Sequence, residues 1–275
     1  MIMVIHGKNN ATRGTNVMKN VIEWQAATLK AVRQETHRVK TFTFTLPDWT
    51  AHRAGQHYDI RLTALDGYQA QRSYSVASEP ERVGEIDLTV DLVEEGEVST
   101  FLHSGLAVGD QIEMRGPIGG YFVWEATQGG PLLLVAGGSG IVPLMAMLRH
   151  RAAARSTVPA RLLYSVRTPE DVIYAAELDE LVQAGPGLDV LLTFTRQQPT
   201  GWEGYSRRID QAMLADVMAP LGPRPLAYIC GPTLLVESVA NLLLQTGLPR
   251  DLIRTERFGP SGWPAVLIGN DNHGN

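Results

Sequence analysis

The stretch from Ala126 to Leu148 carries no charged residue and reads ATQGGPLLLVAGGSGIVPLMAML. A run of this length and apolarity has two folded fates: a membrane-spanning helix, or a buried strand followed by a buried helix. Pro131, Gly137, Gly138, Gly140 and Pro143 break it where a spanning helix would have to be continuous. The second reading therefore holds. It gives a strand over 132–136, a tight turn through Gly137, Gly138, Ser139 and Gly140, and a helix with Pro143 in its first turn, where the missing N–H costs little. The residues that follow continue the pattern. ARLLYSV (160–166), DVLLTF (189–194), PLAYIC (225–230) and DLIRTE (251–256) are compact apolar strands. Ile141, Leu144, Met145 and Leu148 recur at helical spacing, as do Leu234, Leu235, Val239, Leu242 and Leu243. Strand–helix alternation predicts an α/β, Rossmann-like parallel sheet.

The first half has a different rhythm. WQAATLKAV, VKTFTFTL, HYDIRLTA, QAQRSYSV, EIDLTVDLV and DQIEMRG are short β-branched or alternating stretches, separated by turn residues at Pro47, Gly55, Gly67, Pro80, Gly84 and Gly109. Strands at this spacing predict an antiparallel β-barrel, with one short helix near 98–104. The boundary falls in the Gly/Pro-rich segment between Gly116 and Pro131. The expected division is a barrel domain over 21–125 and an α/β domain over 126–262, flanked by a disordered tail over 1–20 and a C-terminal tail over 263–275.

Composition narrows the chemistry. Of 275 residues, 44% are hydrophobic and 19% charged, the profile of a globular chain. Lys+Arg 24 against Asp+Glu 29 gives −5, so no basic excess points to nucleic acid. One cysteine, Cys230, excludes an internal disulfide framework and a four-cysteine zinc or iron–sulfur site, and no metal is expected. The start MIMVIHGKNN lacks the basic and apolar regions of a secretory signal, so the expectation is a cytoplasmic, soluble protein with no membrane partner.

Four segments can carry chemistry. The Gly137–Gly140 turn brings backbone N–H groups to where a diphosphate could lie, although a ligand-free strand-to-helix turn fits it equally well. RSYSVAS places Arg72, Ser73, Tyr74 and Ser75 on a barrel strand, where a guanidinium, a ring and a hydroxyl could meet a ligand or simply be polar strand residues. YICGP ends the fourth parallel strand with Cys230, Gly231 and Pro232, and TERFGP ends the fifth with Glu256 and Phe258. Carboxyl ends of strands are where open α/β sheets bind ligands, but a lone buried cysteine is more often packing.

The ordered set RSYS, GEVSTFL, GGSGIVPLM, CGP and ERFGP resembles the ferredoxin–NADP reductase superfamily over roughly 24–260, and its ending is similar to the reductase half of flavohaemoglobins and of oxygenase reductases. The resemblance implies a flavin-binding barrel followed by a nicotinamide-nucleotide domain, with FAD and NADPH as cofactors and NADH as the alternative. It implies Arg72 on the FAD diphosphate, Tyr74 against the flavin and Ser75 near flavin N5, with Ser73 in the same segment. Gly96, Val98, Ser99 and Thr100 would form a second phosphate-binding segment, and AGQHYDI, with Gly55 and Gln56, the strand before the triplet. Gly137, Gly138, Ser139, Gly140 and Pro143 would take the nicotinamide dinucleotide diphosphate. Cys230, with Gly231 and Pro232, would lie beside the nicotinamide, and Glu256 and Phe258 beside the flavin; Ser75, Cys230 and Glu256 are the expected catalytic residues.

Arg167 and Arg196 fall just past the second and third parallel strands, where the family places the adenosine ribose. Two guanidinium groups suit a 2′-phosphate, which points to NADPH, although either arginine could be a solvated surface charge. The implied activity is an NAD(P)H-dependent flavoprotein reductase. It would take a hydride from NADPH onto FAD and pass single electrons to a separate iron–sulfur protein or oxygenase component. No globin portion precedes the barrel and a single cysteine leaves no room for a ferredoxin domain in this sequence, so a monomeric stand-alone reductase is expected. The alternatives are a diaphorase or flavin reductase acting on small acceptors, and a nucleotide-binding regulatory subunit without turnover.

Overall fold

The computed structural model describes residues 22–258. The expectations for the tails over 1–20 and 263–275 fall on residues outside that range. Six strands make the first unit: β1 (Gln25–Gln34), β2 (Val39–Thr45), β3 (His57–Thr63), β4 (Gln69–Ser75), β5 (Glu85–Asp91) and β6 (Gln111–Ile118). They hydrogen-bond in the order β4-β3-β6-β1-β2-β5, all antiparallel. The two edge strands meet just beyond β4, where Val76 bridges Leu88 and the Ala77 N–H donates to Asp87 O at 2.8 Å. That contact curls the sheet into the expected barrel. Strand alternation explains the interior: Phe42 and Phe44 of β2, Tyr58 and Ile60 of β3, and Ile86 and Leu88 of β5 point inward and are buried. Helix α1 (Glu97–Ser104) adds Val98 and Leu102 to this core.

The second unit is a parallel sheet of β7 (Leu132–Gly137), β8 (Ala160–Val166), β9 (Leu188–Phe194), β10 (Leu226–Pro232) and β11 (Ile253–Phe258), in the order β11-β10-β7-β8-β9. Both faces are covered, so its strands read as unbroken apolar runs. Leu132, Leu134 and Ala136 face one core with α2 (Ile141–Ala153) and α3 (Ala175–Gln183). Leu133 and Val135 face another with α4 (Gln211–Met218) and α5 (Thr233–Gln245). The strand order reverses between β7 and β10, and this switch point is where open α/β sheets form a ligand crevice.

The segment joining the units is packed, not a free tether. Phe122, Val123 and Trp124 are buried, and the Trp124 indole N–H donates to Gly129 O at 2.9 Å. Phe122 and Trp124 belong to the same apolar cluster as Ala54 and Ala77 of the barrel unit and Leu144 and Met147 of α2. The two units therefore share a core. Tyr121 Oη adds a donated hydrogen bond to Ile253 O at 3.1 Å, and the Arg254 guanidinium donates to Val123 O at 3.1 Å.

Candidate functional site

The glycine turn sits at the switch point. β7 runs into a single 3-10 turn, Gly138–Gly140, and then directly into α2. Two glycines here are required by backbone packing. A Cβ on Gly140 would lie 2.1 Å from Cys230 O, and one on Gly231 would lie 2.9 Å from Gly137 O. The ends of β7 and β10 thus touch, and Gly137 packs beneath Pro232 and Leu235. Gly138 differs: it has φ of +53° and no heavy atom within 4 Å of where a Cβ would stand. Of this turn, it is Gly138 and the half-exposed Ser139 that border open space. Pro143 is buried in α2 and offers no N–H.

Beside the turn, Cys230 of β10 lies in register with Glu256 of β11, and Pro232 with Phe258. The Cys230 thiol is fully buried and donates weakly to Glu256 Oε2 across 3.9 Å. Burial, and then the neighbouring carboxylate, push the thiol well up, so it stays protonated at neutral pH. Burial pushes the Glu256 carboxyl up to about 7, against a small opposing effect of the thiol. Phe258 is half-buried against the core that holds Cys230.

The barrel contributes β4. Arg72 and Tyr74 share one face of this edge strand, while Ser73 and Ser75 point to the other. Arg72 is exposed and, among the described residues, donates only to the neighbouring Gln71 O, at 2.7 Å. Burial pushes the Tyr74 phenol up to about 12. Ser73 spends its hydroxyl on Asp59 Oδ1 at 2.6 Å, and Asp59 also accepts from Arg115 at 2.6 Å. Ser75 Oγ is buried and has no hydrogen-bond partner among the described residues. Gln56 is nearby through Val76, whose N–H donates to Gln56 O at 2.9 Å, and a Cβ on Gly55 would lie 1.9 Å from Phe122 O.

At the start of α1, Gly96 occupies the N-cap without any side-chain cap, which leaves the first N–H groups of the helix available. Val98 is buried in the barrel core and Ser99 Oγ turns back to Val93 and Gly96, so these residues can offer backbone only; the Thr100 N–H is already donated to Gly96 O at 2.9 Å. Across the sheet, the Arg196 and Gln197 N–H groups donate to Arg167 O at 3.0 and 3.1 Å. That sets Arg167 and Arg196 side by side, both exposed, with no acidic partner within 4.0 Å among the described residues.

The structure thus groups Gly137–Gly140 with Cys230–Pro232 and Glu256, pairs Arg167 with Arg196, and leaves Arg72 to Ser75 on the barrel side of the joint. Three residues near the site were not singled out from the sequence. His57 lies directly opposite Ser75 in the β3–β4 ladder, with its pKa lowered by burial. Arg149 donates to Ala77 O, and Tyr174 reaches Thr89 in the barrel. No group of three His, Cys, Asp or Glu side chains placed to hold a metal occurs among the described residues, and no described helix is long and apolar enough to cross a membrane.

The family model for the oxidoreductase FAD-binding domain matches residues 26–123, and that for the oxidoreductase NAD-binding domain matches residues 134–241. The chain is 32% identical over 238 residues to ferredoxin–NADP reductase B of Sorangium cellulosum, covering 84% of this chain and 96% of that one. It is 31% identical over 232 residues to the glycine betaine monooxygenase reductase subunit of Chromohalobacter salexigens, covering 83% of this chain but only 62% of the relative's length. The flavohaemoglobin-like FAD/NAD-binding domain of nitric oxide dioxygenase from Vibrio cholerae superposes with a TM-score of 0.75 at 23% identity, over 86% of this chain and 98% of that one, a likeness of fold.

Proposed function

The chain belongs to the FAD- and NAD-binding oxidoreductases of the ferredoxin–NADP reductase superfamily, and from that membership we propose that it takes a hydride from NADPH and delivers single electrons to a separate ferredoxin or oxygenase component. The observation that carries the flavin part is Ser75 Oγ. A buried hydroxyl with no partner is costly unless a ligand supplies one, and this hydroxyl ends the strand that also bears Arg72 and Tyr74. Arg72 and the uncapped start of α1 would hold the FAD diphosphate, and Tyr74 would lie against the ring system.

FAD, when bound, supplies the two-electron acceptance and one-electron release that no side chain here can perform. The residues of the chain orient and shield. Gly138 and Ser139 would let the nucleotide diphosphate approach the start of α2, while the protonated Cys230 thiol and the Glu256 carboxyl, raised by burial to about 7, would wall the nicotinamide site. Arg167 and Arg196, with no acidic partner among the described residues, would recognise the 2′-phosphate, which favours NADPH over NADH. We place it in the cytoplasm as a monomer.

The test is an absorption spectrum of the protein reconstituted with FAD, followed by anaerobic titration with NADPH and then NADH. Bleaching by NADPH at the lower concentration is expected. A protein that takes up no FAD would sink the reading, and bleaching by NADH alone would correct the nucleotide. Reduction of a ferredoxin no faster than of ferricyanide would remove the protein acceptor.

A further inference from the structure

Helix α2 begins at the glycine turn, and Arg149 lies roughly 12 Å further along its axis. Its side chain is only 9% exposed, and its guanidinium bonds both across the joint between the two units and within the second one. Nη1 donates to Ala77 O of the barrel at 2.7 Å. Nε and Nη2 donate to Glu177 of α3 at 2.7 and 2.6 Å. The same guanidinium lies 4.9 Å from the ring centre of Tyr174. Ala77 comes two residues after Ser75, and its own N–H is held by Asp87 O. The carbonyl that Arg149 grips is therefore the point where the Ser75 strand is clamped to β5.

Tyr174 supplies a second, independent tie. It adopts φ of 62° and ψ of 28°, a left-handed conformation that is uncommon for a bulky residue and persists only where its surroundings hold it. Its ring is buried, and its hydroxyl donates to Thr89 Oγ1 of β5. A third tie runs from the next residue of α2. The Ala126 N–H donates to His150 Nε2, which leaves Nδ1–H to donate to Glu81 at 2.7 Å.

Burying a paired guanidinium brings little stability over well-packed apolar side chains as a rule. What this arrangement adds is a tie of fixed length and direction between the helix that starts at the nucleotide turn and the strand that ends at Ser75. We infer that Arg149 is a positioning residue for hydride transfer, setting the approach of the nicotinamide to the flavin by holding the Ser75 strand against α2 through Ala77. The inference rests on the reading of the chain as an FAD- and nicotinamide-dependent reductase. The step it serves breaks the C4–H bond of the reduced nicotinamide and forms an N5–H bond on the flavin. The electron pair travels with the hydrogen, so the nucleotide is oxidised and the flavin reduced.

The experiment uses the full chain loaded with FAD, as wild type, Arg149→Met, Arg149→Lys and Glu177→Gln. Anaerobic stopped-flow mixing with NADPH, or with NADH if that is the better donor, gives the limiting rate of flavin bleaching, the half-saturating nucleotide concentration and the long-wavelength charge-transfer absorbance. Melting curves and FAD content are recorded alongside. Arg149→Met should lower the limiting rate about 10- to 100-fold, as expected of a misplacement near 1 Å. FAD content and half-saturation should stay close to wild type while the charge-transfer absorbance falls. Arg149→Lys, a point charge that cannot serve Ala77 O and Glu177 together, should lie between. Glu177→Gln leaves the Ala77 contact in place and should lower the melting temperature with little change in rate. Should Arg149→Met not fold, Arg149→Lys against Glu177→Gln carries the same comparison. An undiminished rate in the Arg149 variants, or rates in all variants that simply follow melting temperature, would overturn the assignment. A wild type that takes up FAD yet is bleached by neither nucleotide overturns the reductase reading as well, whereas a normal wild type beside an unimpaired Arg149→Met overturns this inference alone.

Discussion

Burial keeps a share of the Glu256 carboxyl protonated at neutral pH, outweighing the opposing effect of the Cys230 thiol. The carboxyl is raised from the usual range to about 7, so between roughly pH 4.5 and 7 the folded chain holds a proton that the unfolded chain has released. The raised group therefore stabilises the fold at low pH, and that contribution is lost as pH rises through 7. Compared with Glu256→Gln, the wild type should lose stability over this window, by on the order of 3 kcal/mol at most. Urea unfolding of both proteins at a series of pH values checks it, and a difference independent of pH would show an ordinary carboxylate. A second prediction at this scale concerns the paired arginines. Replacing both Arg167 and Arg196 by Ala should raise the Michaelis constant for NADPH about 10- to 100-fold, from lost charge-assisted hydrogen bonds of roughly 1.5–3 kcal/mol, and leave that for NADH within about twofold. Steady-state kinetics with both nucleotides decides it, and equal losses would return the pair to the solvated surface.

Among elements, the glycine turn makes the sharpest comparison. Gly140→Ala would place a methyl 2.1 Å from Cys230 O, on backbone that cannot swing away, and should cost several kcal/mol or prevent folding. Gly138→Ala meets nothing and should cost only about 1 kcal/mol for its left-handed φ, while weakening nucleotide binding if a diphosphate approaches there. Chemical denaturation of the two variants, with nucleotide titration of Gly138→Ala, separates the packing glycine from the one facing open space. That distinction is invisible in GGSG as a string, because it depends on β10, some ninety residues away. What the sequence does show at this scale is periodicity. Phe42 and Phe44 alternate inward in β2, and the unbroken LLLV of β7 fits a sheet covered on both faces. The short helices α3 and α4 had no comparable signature, since α3 buries only Leu178 and α4 only Met213, Leu214 and Val217. The site was legible as an ordered set of motifs and not as a geometry: Cys230 beside Glu256 follows from the register of β10 and β11. Arg149, in the string LRHR at the end of an apolar helix, reads as a solvated cation placed to suit the helix dipole. Its burial follows only from the docking of a second unit.

For the whole molecule, that docking predicts cooperative behaviour. Ala54, Ala77, Phe122 and Trp124 pack against α2 in one cluster, so a fragment ending at residue 125 would expose them to water. The intact chain should melt in a single calorimetric transition, and the fragment 22–125 should bind hydrophobic dyes or aggregate. Two well-separated transitions in the intact chain would show that the shared core contributes little. Trp124 gives this joint one further property. Its indole is fully buried, meets the His150 ring edge-on at a centroid separation of 5.5 Å, and donates to Gly129 O. An indole so placed emits at short wavelength while shielded and shifts to the red on hydration. With the other four tryptophans replaced, Trp124 would therefore serve as an optical gauge at the seam between the halves, its ultraviolet emission moving to the red when they part.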